Sequence, residues 1–147
     1  MKLSSPEFPD GEHMPERVGY TKENANPELV LEDIPEAAES LVLLMDDPDA
    51  LEPAGKVWDH WTVWNIDPSK SRIGRNESPG VEGKNDFGEK GYGGPNPPDG
   101  THTYRFRIFA LDRELDLPEN SMKKDVEEAM SGHVLDKAKL EGKYDPV

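Results

Sequence analysis

The sequence predicts an all-β fold, an antiparallel β-sandwich carrying one or two short helices toward its C-terminus. Three observations carry that expectation. The runs SLVLLMDD (40–47), KVWDHWTVWNID (56–67) and THTYRFRIFALD (101–112) have strand length and are rich in β-branched and aromatic residues. No helical pattern separates them, as alternating βαβ units would require. Apolar residues at helical spacing occur only after Leu117-Pro118.

Taken in order, residues 1–27 carry Pro6, Pro9, Pro15 and Pro27 among polar residues, which predicts extended segments and turns with short edge strands. Leu29-Val30-Leu31 is the first strand candidate, closed by the turn-like Asp33-Ile34-Pro35. The run 40–47 is continuously apolar before its two acids, the pattern of a central strand covered on both faces. The run 56–67 is bounded by Gly55 and Pro68. Residues 68–100 show no periodicity, and a segment of that length inside a compact domain is usually functional. Within it, GYGGPNPPDG (91–100) has seven Gly or Pro in ten residues. Gly reaches backbone geometries closed to other residues and Pro fixes φ, so this mixture specifies one shape, read as a rigid wall. After the strand at 101–112, Met122, Val126, Ala129 and Met130 predict a helix. Val134 and Ala138 continue the stripe past Gly132, and Lys139 to Tyr144 form a last short strand.

The 147 residues fit one domain, 1–147, large enough to need no staples. The chain has no Cys, which excludes disulfides and thiolate metal sites. Thirty-one Asp and Glu against 17 Lys and Arg leave a net charge of −14, which repels nucleic acid and anionic membrane surfaces. The longest apolar run, Leu41 to Met45, is too short to cross a bilayer, and the N-terminus lacks the apolar core of a signal peptide. A cytoplasmic protein is expected.

Alternation along the strands places Trp58, His60, Thr62 and Trp64 on one side of the second strong strand, and His102, Tyr104 and Phe106 together on the third. Antiparallel pairing brings the end of the first, Asp47, beside the beginnings of both. His60 and His102 are thus expected to meet near Asp47, Trp58 and Tyr104, roofed by the Gly/Pro loop, with Asp47 orienting the histidines. A lone strand His is more often a satisfied structural residue; the convergence of two with an acid and a rigid loop is what points to a site. Imidazole N–H groups, a Tyr hydroxyl and loop amides make a donor cluster suited to phosphate or carboxylate oxygens, and Trp58 adds an apolar face.

These residues also resemble a known family. DDPDA (46–50), HWTVWNI (60–66) and GKNDFGEKGYGGPNPPDGTHTYRF (83–106), in that order and with the ending MSGHVLDKAKLEGKY, are similar to the bacterial and archaeal branch of the phosphatidylethanolamine-binding proteins, from about residue 28 onward. The resemblance implies a β-sandwich with a small rigid anion pocket for phosphate-type head groups, formed by Asp47, Trp58, His60, Gly94, Pro95, Pro97, Pro98, His102 and Tyr104. It implies neither cofactor nor metal and no catalytic residue. Partners follow by analogy: a kinase or protease, since some relatives inhibit such enzymes, and a second copy of the chain, since the small prokaryotic members are often dimeric. Three departures stand out. DPDALEP displaces to Pro53 the Pro that usually follows Ala, Thr103 stands where Arg is usual, and Asn96 stands where Cys is frequent.

Two enzymatic alternatives use the same residues. Two His and one Asp have the donor count of a facial metal triad, and Asp47 with His60 could serve phosphoester hydrolysis, although no Ser or Thr stands in a nucleophile context. Asp86-Phe87-Gly88 matches a kinase metal motif only as a tripeptide, in a chain far too short for that fold.

Overall fold

The computed structural model describes residues 1–147 as two antiparallel sheets with few helical segments. A small sheet pairs β1 (Lys2–Ser4), β2 (Leu29–Glu32) and β5 (Arg72–Ile73) in the order β1-β2-β5. A larger one has the order β6-β4-β3-β7-β8, from β3 (Ser40–Asp47), β4 (Trp58–Ile66), β6 (Val81–Glu82), β7 (His102–Leu111) and β8 (Val134–Tyr144). A short helix α1 (Leu51–Ala54) precedes β4, and α2 (Lys123–Met130) precedes β8.

β3 is central and every one of its residues is buried, because the large sheet is covered on both faces. Leu41, Leu43 and Met45 enter the core between the sheets, with Leu29, Leu31 and Ile73 of the small sheet. Val42 and Leu44 turn to the opposite face and pack with Trp64, Leu115, Val126 and Met130 beneath α2. Two-sided burial therefore explains the unbroken apolar run.

β4 departs from simple alternation. Its pairing with β3 shifts by one residue between Met45–Trp61 and Asp46–Asp59, which leaves His60 as the extra residue of a β-bulge. A second shift lies between Leu41 and Leu43 on β3, near Asn65, whose φ is 53°. The common face expected for Trp58, His60, Thr62 and Trp64 does not exist. Trp61 and Val63 pack in the core between the sheets while Trp64 packs under α2, and only Trp58 and His60 reach the cavity described below. A bulge re-aims side chains in this way, and the inserted residue is one of the two predicted histidines.

The C-terminal stripe also differs from the helical expectation. Val134 and Ala138 belong to β8, and the helix ends at Met130. A spacing of four satisfies both the helical period and the period of two, so it cannot discriminate. The discriminating signal lies further on: Lys137, Lys139, Glu141 and Lys143 alternate strictly with Ala138, Leu140, Gly142 and Tyr144, and Leu140, Gly142 and Tyr144 are buried. Gly132, at φ 82°, makes the turn between α2 and β8.

Asp46, fully buried on the α2 side of β3, receives three cations. Arg105 Nε lies 2.6 Å away, Lys123 Nζ 2.9 Å and Arg107 Nη2 3.0 Å. Burial alone would raise its pKa, but these partners outweigh it and hold the carboxyl below its usual range. Lys123 Nζ also lies 2.7 Å from Asp59 Oδ1, tying α2 to both β3 and β4.

Candidate anion-binding cavity

The consecutive acids at the end of β3 point to opposite faces. Asp46 enters the charge cluster under α2, and Asp47 reaches the floor of a cavity of about 170 Å³. Antiparallel pairing sets Asp47 opposite Trp58 at the start of β4, and β7 begins beside it with His102. Three strand ends thus deliver Asp47, Trp58, His60, His102 and Tyr104 to one place, as their positions in the sequence predict.

Asp47 is fully engaged. Its Oδ1 accepts the Asp49 amide at 2.9 Å and its Oδ2 is 2.6 Å from His102 Nδ1, while the Tyr104 hydroxyl also bears on it. The far nitrogen of His102, Nε2, is 2.7 Å from Asp99 Oδ1. Burial alone would lower the pKa of this imidazole, yet the hydrogen bonds to Asp47 and Asp99 outweigh it and the net direction is up. Burial pushes the Asp47 carboxyl up as well, against the pull of His102, so the two titrate as a pair. The direction that stands is the upward one for His102, because an imidazole flanked by two carboxylates must donate from both nitrogens.

His60 has the opposite character. Its Nδ1 lies 2.6 Å from the Gly93 carbonyl oxygen, which can only accept, so Nδ1 carries the hydrogen. Burial lowers its pKa to about 4, against the weaker support of the Gly93 and Gly94 backbone. The ring is therefore neutral near pH 7, with a lone pair on Nε2. Asp47 was expected to orient both histidines; it orients His102 alone, and the Gly/Pro loop orients His60. Tyr104 lies between them, its ring 5.2 Å from that of His60 and 6.3 Å from that of His102.

The loop forms a wall, as expected of its Gly and Pro content, but fewer of its residues face the cavity than predicted. Asn96, Pro97 and Pro98 line it. Gly94 and Pro95 do not: the Gly94 amide donates to Asn24 Oδ1 at 2.7 Å, and the Pro95 carbonyl accepts from the Tyr20 amide at 2.9 Å. A side chain at Gly94 would strike the Val18 carbonyl oxygen, so the residue serves close packing on the N-terminal segment. The Gly93 amide donates to the His60 carbonyl at 2.9 Å, returning the bond that His60 makes to Gly93. Gly93 and Gly94 therefore offer no free amides to a ligand.

Sequence reasoning missed five lining residues, Ala50, Pro53, Ala54, Phe87 and Asn96. Ala50 and Pro53 come from the DPDALEP segment and Ala54 follows it directly, where the chain winds into α1 and closes one side. Phe87, from the Asp86-Phe87-Gly88 tripeptide, stacks on Tyr20 at 4.0 Å and meets Trp58 and His60 edge-on, each at 5.6 Å. The cavity is thus apolar along its sides and polar at its floor. One donor is left over, since Trp58 Nε1 is buried without a hydrogen-bond partner. No group of three or more His, Asp or Glu side chains is arranged to hold a metal ion; His60 commits Nδ1 to Gly93, and His102 commits both nitrogens, to Asp47 and Asp99.

Fold and cavity define a class: a two-sheet antiparallel β-sandwich with a small cavity, walled in part by a Gly/Pro loop, at the end of its central strand. Within that class the chain belongs to the phosphatidylethanolamine-binding protein family, whose sequence profile, described as Phosphatidylethanolamine-binding protein, matches residues 4–145. Among similar proteins, a UPF0098 protein of Methanothermobacter thermautotrophicus is 44% identical, with 98% of each chain covered. Another from Aquifex aeolicus is 42% identical, covering 98% of this chain and 88% of its own. The crystal structure of a phosphatidylethanolamine-binding protein homologue from Chlamydia trachomatis superposes with a TM-score of 0.93 at 36% identity, over 99% of this chain and 97% of the other. Escherichia coli YbcL, described as a member of the mammalian family, gives 0.89 at 28% identity, over 99% and 98%. No helix of the chain is long and apolar enough to cross a membrane.

Proposed function

We propose that the cavity binds, without catalysis, a small ligand that presents an anionic, phosphate-type head group to the floor and an apolar body to the walls. The observation that carries this reading is the His102 imidazole at the cavity, held between Asp47 and Asp99 with its pKa raised. The two carboxylates favour the charged form of the ring, and a charged donor forms the stronger class of hydrogen bond. The side chain of Asn96, exposed on the cavity lining, supplies a second polar group. The lone pair on His60 Nε2 suits a head group that keeps one hydroxyl, such as a monoprotonated phosphate. Phe87, Pro53, Pro97 and Pro98 suit an apolar attachment.

Binding without turnover is favoured by what surrounds the head group. No Ser, Thr, Lys or Cys lines the cavity, and both oxygens of the Asp47 carboxylate are already engaged, by the Asp49 amide and by His102. A general base works best with a pKa near the operating pH, and His60, at about 4, is far below it.

Calorimetric titration with inorganic phosphate at pH 6 tests the reading. The parent chain is expected to bind, and His102→Ala to bind about 10- to 100-fold more weakly, the loss of one charged hydrogen bond. Equal affinity in the variant rules His102 out as the receptor. Steady phosphate release from an aryl phosphate, abolished in His60→Ala, would make the protein a hydrolase instead.

A further inference from the structure

Asp47 and Asp99 both bond to His102, but they differ in kind. The Asp47 side chain is 4% exposed and braced on several sides, whereas that of Asp99 is 54% exposed and makes no hydrogen bond or ion pair other than the one to His102 Nε2. Asp99 belongs to the end of the Gly/Pro wall, between Pro98, which lines the cavity, and Gly100, and it does not itself line the cavity. One carboxylate is therefore built in, and the other, more than half exposed, holds the far nitrogen of the ring.

We propose that Asp99 is an internal competitor for the anion site: its carboxylate occupies the His102 Nε2–H donor until a ligand head group displaces it, and so sets which anions the cavity accepts. This inference rests on the reading of the cavity as an anion site.

The physical case is one of shared chemistry. A carboxylate oxygen 2.7 Å from an imidazolium N–H makes the bond a phosphate oxygen would make there. Being tethered three residues from His102, Asp99 is always nearby, so a free anion must outcompete it. An exposed ion pair is weak and easily opened, because water solvates the freed carboxylate. The block is soft. After displacement the negative charge stays close and disfavours the bound anion, so anions that make a single contact are penalised most. A head group with several oxygens can take the His102 donor together with the Asn96 amide on the lining, and a simple carboxylate can only replace like with like.

The test uses the full chain with Asp99→Asn, which removes the charge and keeps the shape, and Asp99→Ala, which removes the side chain. Asp99 is exposed, so both are expected to fold, and thermal unfolding verifies this. At pH 6, where Asp47 still holds His102 charged, inorganic phosphate is expected to bind both variants about three- to tenfold more tightly than the parent. Acetate should gain more than phosphate does. A parent that binds phosphate while both variants bind it equally or more weakly overturns the role of Asp99 and leaves the anion site standing. If none of the three binds phosphate, the anion reading falls and this inference falls with it. Binding by the variants alone supports both.

Discussion

Lowering the pH from 6.5 to 4 is expected to cost the protein about 3 kcal/mol of stability through His60 alone. The ring sits in the folded protein at about 4 against an ordinary value of 6.5, because burial disfavours its charged form and the Gly93 and Gly94 backbone offsets this only in part. The sign follows from the depressed value. Above pH 6.5 the ring is neutral folded or unfolded, and its contribution is fully present. Below 6.5 the unfolded chain takes up a proton that the folded chain refuses, so stability drains away until the folded ring titrates as well. Asp46, held below its usual range, and the raised carboxyls Asp47 and Asp59 also titrate in acid. The measurement is therefore a difference, with urea unfolding of the parent and of His60→Gln followed from pH 7 to 4. The parent should lose about 3 kcal/mol more than the variant over that span. Parallel curves would mean that His60 is not buried neutral.

The second large effect concerns Asp46. Replacing it by alanine is expected to cost about 3 kcal/mol or more, since it leaves Lys123, Arg105 and Arg107 facing a buried space without their anion. The cost arises chiefly from Lys123, whose side chain is only 13% exposed and retains Asp59 alone as a partner. Arg105 and Arg107, more exposed, can turn to water. Denaturant unfolding at pH 7 measures the loss, and a change below about 1 kcal/mol would place this cluster with ordinary surface ion pairs. Because Asp46 and the cavity lie on opposite faces of β3, phosphate affinity should change little in any Asp46→Ala protein that remains folded.

The strands carrying the site were legible because their residues are locally committed: β-branched and aromatic runs of strand length, bounded by Gly and Pro. Asp47, His60, His102 and Tyr104 could be gathered from strand ends alone, since antiparallel pairing leaves few other arrangements. The bulge at His60 was not legible. Alternation assigns it to the face of Trp64, whereas the bulge brings it to the cavity beside Trp58, with which it shares parity. Nor could composition tell Gly94 and Pro95, which brace the loop against the N-terminal segment, from Pro97 and Pro98, which face inward; that depends on contacts with residues 70 or more positions away. Phe87 gave no local signal, because its role comes from Tyr20, Trp58 and His60, brought to it by the fold. The contrast between the histidines is likewise tertiary. One ring faces a carbonyl and the other two carboxylates, and the sequence shows only two histidines in strands.

That contrast is open to direct observation by nitrogen-15 NMR of the imidazole rings at pH 7, recorded without and with inorganic phosphate. The account predicts a His60 ring with one protonated nitrogen and one bare nitrogen, a His102 ring protonated at both, and a phosphate-induced shift at His102 Nε2. A neutral His102, or an Nε2 signal that stays in place while phosphate binds, would contradict it.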